Sequence, residues 1–248
     1  MVYISHFYLI GLNKSFIYKI NNWSKKDTSI KMAFFDHFVL YLYKIDIMIA
    51  VITGDIVNSR KVNSEIWLPK LKEYLSEIIS DSEKWEIYRG DSFQLEVPAE
   101  NALEIALCIK ALIKSNTIID ARMSIGIGEK DFKGKKITES YGTAFIHSGE
   151  SFEKIKNNTL ILKSPFDEFD EYFNPTLKLL SFITDNWKPV TSETIFFALT
   201  NKKLMQKEIA QKLSKDSTTI NKALKRGGYD EIIETINLYS KKILQCLN

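Results

Sequence analysis

The chain has 248 residues, of which 45% are hydrophobic and 26% charged, and it carries a formal net charge of +3. These values are typical of a globular protein with a real core and exclude wholesale disorder. Two cysteines and three histidines, each isolated in the sequence, are too few for a disulfide framework or for a zinc site. We therefore expect a cytoplasmic protein in a reducing compartment.

Residues 1–47 differ in composition from everything that follows. They contain 11 of the 30 aromatic residues but no Glu and no Arg. They lack the run of about 20 apolar residues that a transmembrane helix needs, and they lack the parts of a signal peptide. A buried-strand pattern begins at Met48. Our hypothesis is that Met48 is the true start; the alternative is an extension, either disordered or folded into one or two short helices.

The remaining chain divides by charge into two predicted domains. Residues 48–174 hold 16 Lys and Arg against 21 Asp and Glu, a net of −5, whereas residues 175–248 hold 12 against 7, a net of +5. An acidic domain followed by a basic one indicates that the two have different partners.

Hydrophobic periodicity predicts alternating strands and helices across residues 48–174. The expected order is strand 48–53, helix 66–79, hairpin strands 85–89 and 92–97, helix 102–113, strand 121–128, helix 139–157 and strand 159–162. This βαββαβ order, extended by αβ, predicts an α+β fold with a ferredoxin-like, antiparallel sheet in which the first strand lies beside the third.

Two carboxylates fall at significant points of that topology. Asp55 follows the first strand and Asp91 lies at the tip of the hairpin, so both are expected at one edge of the sheet. Two close carboxylates repel each other unless a cation lies between them, and Mg²⁺ (or Mn²⁺) suits such a pair. Taken singly, Asp55 is equally a residue that caps the strand end, and Asp91 is equally a turn residue.

The segment after the first strand is a candidate for binding phosphates. Its backbone N–H groups and a nearby guanidinium are suited to anions. The candidate nucleotide-binding residues are Gly54, Ile56, Asn58 and Arg60, joined by Arg89 of the hairpin.

Three motifs carry a resemblance to known families. Thr53-Gly-Asp-Ile-Val, Arg89-Gly-Asp-Ser-Phe and the segment 122–129 resemble three blocks of class III nucleotide cyclases and of the related GGDEF-type palm. From Met48 onward the chain resembles the SatD family, through the segments 52–60, 88–95, 140–150 and 164–168. The cyclase resemblance implies that Asp55 and Asp91 hold two metal ions that bind a nucleoside triphosphate.

The resemblance to cyclases fails at one functional position. The cyclase helix supplies an Asn and an Arg to the reacting phosphates, but here Ile146 and Glu150 occupy the matching places. Loss of such charge stabilisation typically costs about 100-fold or more in rate. The substitution argues against ordinary cyclase activity, and we assign no catalytic residue.

The basic domain is predicted to be all-helical and to contain a helix-turn-helix. After an acidic stretch at 167–171, interpreted as a solvated connector, we expect helices at 177–187, 194–199, 205–213, 218–226 and 230–247. The fourth of these resembles the recognition helix of bacterial DNA-binding proteins, although the preceding turn lacks the usual Gly. Its expected DNA-facing residues are Thr218, Thr219, Asn221, Lys222, Lys225 and Arg226.

The residues together favour a SatD-like cytoplasmic regulator with a nucleotide- and Mg²⁺-binding palm and a DNA-binding tail. One alternative is a divergent metal-dependent nucleotidyl cyclase or nucleotidyltransferase. Another is an interaction scaffold with an inactive palm and a protein-binding helical tail. The last helix either packs within the chain or forms the seam of a homodimer, and no membrane partner is expected.

Overall fold

The computed structural model describes residues 48–115, 118–155 and 159–247, and the expectations for residues 1–47 lie outside these ranges. The described chain is a mixed α+β structure of five strands and eight helices. The strands are Met48–Val57 (β1), Trp85–Tyr88 (β2), Ser92–Pro98 (β3), Asp120–Glu129 (β4) and Leu160–Lys163 (β5). The helices are Ser64–Ile78 (α1), Ala102–Lys114 (α2), Thr143–Lys154 (α3), Asp167–Asp185 (α4), Pro189–Thr200 (α5), Gln206–Lys212 (α6), Ser217–Gly227 (α7) and Tyr229–Leu247 (α8).

The strands form one sheet in the order β2-β3-β1-β4-β5. Strand β1 pairs antiparallel with both β3 and β4, β2 pairs antiparallel with β3, and β5 joins β4 in parallel. The prediction that the first strand lies beside the third is therefore confirmed. It follows from two connections, a helix after β1 and a tight hairpin between β2 and β3.

One face of the sheet carries the hydrophobic core. Alternate residues of β1, including Ala50 and Ile52, are fully buried, as are Phe93 and Leu95 of β3. Because side chains alternate along a strand, these residues share one face. Helices α1 and α2 pack over it, and burial of each large apolar side chain contributes about 1.5–3 kcal/mol.

Helix α3 packs closely against the opposite face of the sheet. A Cβ atom at Gly126 would lie 2.2 Å from the carbonyl oxygen of Ala144, and one at Gly128 would lie 2.4 Å from Thr143 Oγ1. Glycine is required at both positions because any side chain would push the helix away from β4. The two glycines thus allow a close approach between β4 and a helix.

Helix α4 covers the edge of strand β5. The Asn174 amide donates to the Leu162 carbonyl at 3.0 Å, and its oxygen accepts from the Leu162 N–H at 3.0 Å. The side chain thus satisfies backbone groups that an edge strand would otherwise expose. The interpretation of residues 167–171 as a connector is wrong: they form the first turn of α4, where carboxylates stabilise the helix dipole, and Asp170 accepts hydrogen bonds from Ser164.

The helices that follow share the core of the sheet region. Helix α5 packs on α2, and the buried Tyr239 hydroxyl of α8 donates to the Ala99 carbonyl at 3.0 Å. One hydrophobic cluster extends from β1 to the end of α8. The boundary predicted at residue 174 falls inside α4.

Candidate functional site

The face of the sheet opposite the core carries a row of polar side chains at one end. The strand register aligns Tyr88 with Ser92, Ser92 with Asp55, and Asp55 with Arg122. All four alternate with core residues, so the row faces away from α1 and α2. The sequence predicted Asp55 at this edge but did not single out Arg122 as a site residue.

Asp55 and Arg122 form a bidentate ion pair. Arg122 Nε donates to Asp55 Oδ1 at 2.6 Å and Arg122 Nη2 donates to Oδ2 at 2.7 Å. The guanidinium also stacks over the Phe152 ring, 5.3 Å from its centroid. The hydrogen bond to Asp55 raises the pKa of Arg122 above its ordinary value. Planar, paired geometry of this kind fixes both side chains in one orientation.

The hairpin brings Asp91 to the same end of β1. Arg89 and Gly90 both have positive φ, 52° and 90°, the backbone conformation that tight hairpin turns require. Ser59 then donates its hydroxyl to Asp91 Oδ2 at 2.6 Å, and the Ile56 amide donates to the Asp91 carbonyl at 3.0 Å. The name "edge cluster" is used below for Asp55, Arg122, Asp91 and Ser59.

The predicted nucleotide-binding residues differ in what they can offer. Ile56 is buried and its N–H is already used by Asp91, while a Cβ at Gly54 would collide with Phe93 at 2.5 Å. Both therefore serve packing. Arg60 and Arg89 are exposed and form no ion pair within the described ranges, and Asn58 is exposed with a φ of 61°. The groups available to an anion are the two arginines.

The edge cluster contains the oxygen ligands that Mg²⁺ prefers, but the Asp55 carboxylate already binds Arg122. Carboxylates and a hydroxyl are hard oxygen ligands, and Mg²⁺ usually takes only one or two carboxylates. Both oxygens of Asp55 accept from Arg122, whereas the Asp91 side chain accepts only from Ser59 among described residues. A metal bound here would take Asp91 directly and share Asp55 with the guanidinium. In the described part of the chain, no group of three or more His, Cys, Asp or Glu side chains could hold a metal.

A small polar network lies beside the edge cluster under α3. Gln94 donates to Thr53 Oγ1 at 3.1 Å, and that hydroxyl lies 2.9 Å from Ser148 Oγ. Ser124 donates to the Ser148 carbonyl at 2.6 Å. On the same helix, Glu150 is exposed at the place where the cyclase resemblance expects an Arg. The network fixes α3 on the sheet, and at the Glu150 position the helix presents a carboxylate instead of a cation.

Helices α6 and α7 form the predicted helical pair. Ile220, Ala223 and Leu224 of α7 are buried, as expected. Ser214, in the turn where a Gly is common, has a φ of 51° and so adopts the left-handed conformation that favours glycine. Asp216 caps α7 by accepting from the Thr219 N–H at 2.8 Å. Hydrogen bonds from Thr219 lower the pKa of the Asp216 carboxyl.

The outward face of α7 is basic. Lys222, Lys225 and Arg226 are exposed and make no ion pair with any described residue. Thr218 and Asn221 are exposed as predicted, whereas Thr219 is half-buried and its hydroxyl donates to Asp216 at 2.5 Å. Thr219 is therefore the one candidate whose side chain is already committed to the helix cap.

A second charged cluster was missed by the sequence reasoning. Lys110 is fully buried and its ammonium lies 2.8 Å from Asp120, 2.8 Å from Thr159 and 2.7 Å from Asp185. Lys114 donates to the other Asp120 oxygen at 2.8 Å. This "lysine cluster" joins α2, β4 and α4. The only sequence signal was two lysines four residues apart in the apolar second half of a helix.

Comparison with protein families, with curated proteins and with solved structures found no match to this chain. The resemblance to the SatD family and to nucleotide cyclases therefore stays a prediction from the quoted motifs. Within the described ranges, no helix is long and apolar enough to cross a membrane.

Proposed function

We propose that the chain is a nucleotide-responsive, DNA-binding regulator of SatD-like architecture. In this proposal α6 and α7 act as a helix-turn-helix and the five-stranded region acts as a ferredoxin-like, cyclase-type palm. The observation that carries the proposal is the outward face of α7, where three exposed cations have no carboxylate partner among described residues. Such cations neutralise phosphates, while neighbouring Thr218 and Asn221 are suited to base edges in the major groove.

The structure of the turn supports this assignment. Ser214 and the Asp216 cap set the direction in which α7 leaves the turn, and the buried face of α7 packs on α5. A recognition helix must be held rigidly so that its outer residues enter the groove together. The buried Ile220, Ala223 and Leu224 provide that support.

The test is binding of the full chain to a fluorescent random-sequence DNA duplex over a salt series. We expect the logarithm of the affinity to fall linearly with the logarithm of salt concentration. The double variant Lys222→Ala, Lys225→Ala should reduce the slope by about 2, roughly one per lost phosphate contact. The matched control, Lys241→Ala with Lys242→Ala on α8, removes the same charge elsewhere and should keep the wild-type slope.

Two outcomes would count against DNA binding. Equal loss in both double variants would mean that the chain attracts DNA only through its general charge. No binding of the wild-type chain at low salt would favour the scaffold alternative, in which the helical tail binds protein.

The palm component of the proposal rests on the edge cluster. Asp91 offers an available carboxylate, Arg60 and Arg89 offer unpaired cations, and all lie near one end of β1. These groups suit a metal-bound nucleoside triphosphate, with Mg²⁺ (or Mn²⁺) supplying charge neutralisation of the phosphates. Within this cluster, Asp91 and Asp55 would hold the ion and the arginines would hold the phosphates.

Pyrophosphate release from each of the four nucleoside triphosphates, with Mg²⁺ or Mn²⁺, separates the sensor from the enzyme. We expect binding by calorimetry without release, because Glu150 replaces the arginine that reacting phosphates require. The Asp91→Asn variant should lose binding, whereas Glu153→Gln, which changes an exposed side chain of α3, should not. Release that disappears in Asp55→Asn would instead identify a nucleotidyl cyclase or transferase.

A further inference from the structure

Helix α4 has a second apolar face that the described chain leaves uncovered. Tyr172, Leu179 and Phe182 are exposed to 58%, 69% and 74%, and Val190 follows just after the helix with 41%. The spacing of seven and three residues places the first three on one side of the helix. The name "α4 stripe" is used below for Tyr172, Leu179 and Phe182.

The stripe lies opposite the face by which α4 enters the core. Phe169, Phe173, Leu177 and Leu180 are buried on the inner side. A surface helix normally has a polar outer face, and a helix that is apolar on both sides is usually covered on both. Two aromatics and a leucine in a row, each more than half exposed, therefore mark a contact surface.

We propose that the α4 stripe is a homodimer interface, in which two copies of this chain pack their α4 helices antiparallel about a two-fold axis. The charges along the helix favour this occupant. Glu168 and Glu171 lie at its start, whereas Lys178 lies in its second half and Lys188 just beyond its end. Asp185 in the last turn is already paired with the buried Lys110. Antiparallel packing places the acidic end of one copy against the basic end of the other, so the surface is complementary to itself.

The chain's own first 47 residues suit this surface less well. They carry six lysines and three aspartates without any glutamate or arginine, so the segment is basic overall. A basic segment complements the acidic start of α4 but not its basic end. A second copy complements both.

The size of the stripe matches the centre of a dimer interface. A fully covered aromatic side chain buries about 150–250 Å², so the three partly exposed side chains of the stripe supply part of the roughly 800 Å² per partner that a stable interface needs. The stripe and Val190 would supply the apolar centre, and the charged residues of α4 with Lys188 would supply part of the polar rim.

A dimer formed through the α4 stripe also brings the α7 helices of two copies into a fixed arrangement. The Trp187 indole, just after α4, donates to the Gly227 carbonyl at the end of α7 at 3.0 Å. The spacing of two α4 helices thereby fixes the spacing of two α7 helices, which is what a two-fold symmetric DNA site requires. This last step rests on the proposed function, but the dimer itself does not.

The test is sedimentation velocity of the full chain over a concentration series without DNA. We expect a reversible dimer in the wild-type chain, and a dissociation constant raised about 30-fold or more in Phe182→Glu, as for loss of an interface hot spot. Phe132→Glu is the matched control, since Phe132 is an aromatic exposed to 60% on the loop between β4 and α3. It should leave the dimer unchanged. Thermal unfolding of all three proteins checks that each is folded.

A photo-reactive residue at position 179 identifies what covers the stripe. Mixed isotope-labelled and unlabelled chains should give crosslinks between α4 helices of different copies. Crosslinks from position 179 to residues 1–47 of the same chain would overturn the proposal, as would a wild-type monomer at every concentration or equal dimerisation in Phe182→Glu. A dimer that binds no DNA would support this inference and count against the DNA-binding function, and a monomer that binds DNA would do the reverse.

Discussion

The lysine cluster and the edge cluster use the same kinds of side chain at different depths. In the lysine cluster, Lys110 is fully buried and has four acceptors within 3.3 Å for its three N–H bonds. In the edge cluster, Arg122 exposes 40% of its side chain, and the Asp91 carboxylate accepts from Ser59 alone among described residues. The first is saturated and closed to ligands. In the second, the Asp91 carboxylate keeps acceptor capacity that no described residue uses, which is why the proposed binding site lies there.

The difference in burial predicts a large loss of stability when the cation of the lysine cluster is removed and a small loss when the cation of the edge cluster is removed. Buried charges that lose a partner are strongly destabilising, because the remaining charge is left without water or an ion pair. Exposed charges that lose a partner are rehydrated at little cost. Three predictions follow from this contrast, beginning with the largest effect.

Lys110→Met should lower the free energy of unfolding by about 3 kcal/mol, the lower end of the range for a broken buried ion pair, because Asp185 is partly exposed and Asp120 keeps its ion pair with Lys114. Urea unfolding followed by circular dichroism measures the loss. Lys72→Met, an exposed lysine of α1, is the matched control and should change stability by less than about 0.5 kcal/mol. Adding Asp185→Asn to the Lys110 variant should restore part of the loss. Equal stability of the Lys110 and Lys72 variants would show that the cluster is not an ionic clamp.

Arg122→Gln should cost about 1 kcal/mol or less, since the guanidinium is partly solvated, but it should tighten metal binding. Removal of the positive charge frees both Asp55 oxygens for a cation. We expect Mg²⁺ or Mn²⁺ affinity, measured by calorimetry without nucleotide, to rise several-fold. Arg60→Gln removes an unpaired arginine nearby and should produce a smaller gain. Unchanged or weaker metal binding in Arg122→Gln would remove Asp55 from the proposed site.

The features that sequence reasoning predicted correctly are those set by local pattern. The apolar run of β1, the alternating polarity of β3 and the tight Gly90-Asp91 turn predicted the strands, and the βαββαβ order predicted that β1 lies beside β3. The buried and exposed positions of α7 followed from the helical period, with the exception of Thr219, which is half-buried at the helix cap. Each of these depends on residues close together in the chain.

The features that sequence reasoning missed depend on register and on distant partners. Asp55 and Arg122 are 67 residues apart, and only the pairing of β1 with β4 shows that they face each other. Lys110 was not singled out because its acceptors come from β4, α4 and the residue before β5. The acidic residues before Pro175 resembled a linker, yet the chain continues as helix because Asp170 and Asn174 bond to the neighbouring β5 segment.

The smallest predicted effect concerns the outer part of the sheet face that also holds the edge cluster. Glu86 of β2 accepts from Lys136 Nζ at 2.7 Å and from Thr138 Oγ1 at 2.6 Å, which anchors the loop between β4 and α3. The hydrogen bond from Lys136, followed by that from Thr138, lowers the pKa of Glu86 below its ordinary value of 4.5. Because the folded pKa lies below the unfolded one, the stabilisation is complete above pH 4.5 and is lost as the pH falls through the folded pKa.

The thermal midpoints of the wild-type chain and of Glu86→Gln, compared across pH, measure this contribution. We expect the wild type to be slightly more stable at neutral pH and the difference to vanish in acid, with a small size throughout because Lys136 is exposed to 61%. Glu153→Gln on α3 removes a carboxylate that has no ion pair among described residues, so its difference from wild type should not depend on the Glu86 titration. A wild-type advantage over Glu86→Gln that persisted in acid would mean that the glutamate stabilises the loop by shape, since its charge would then contribute nothing to the anchoring of this face.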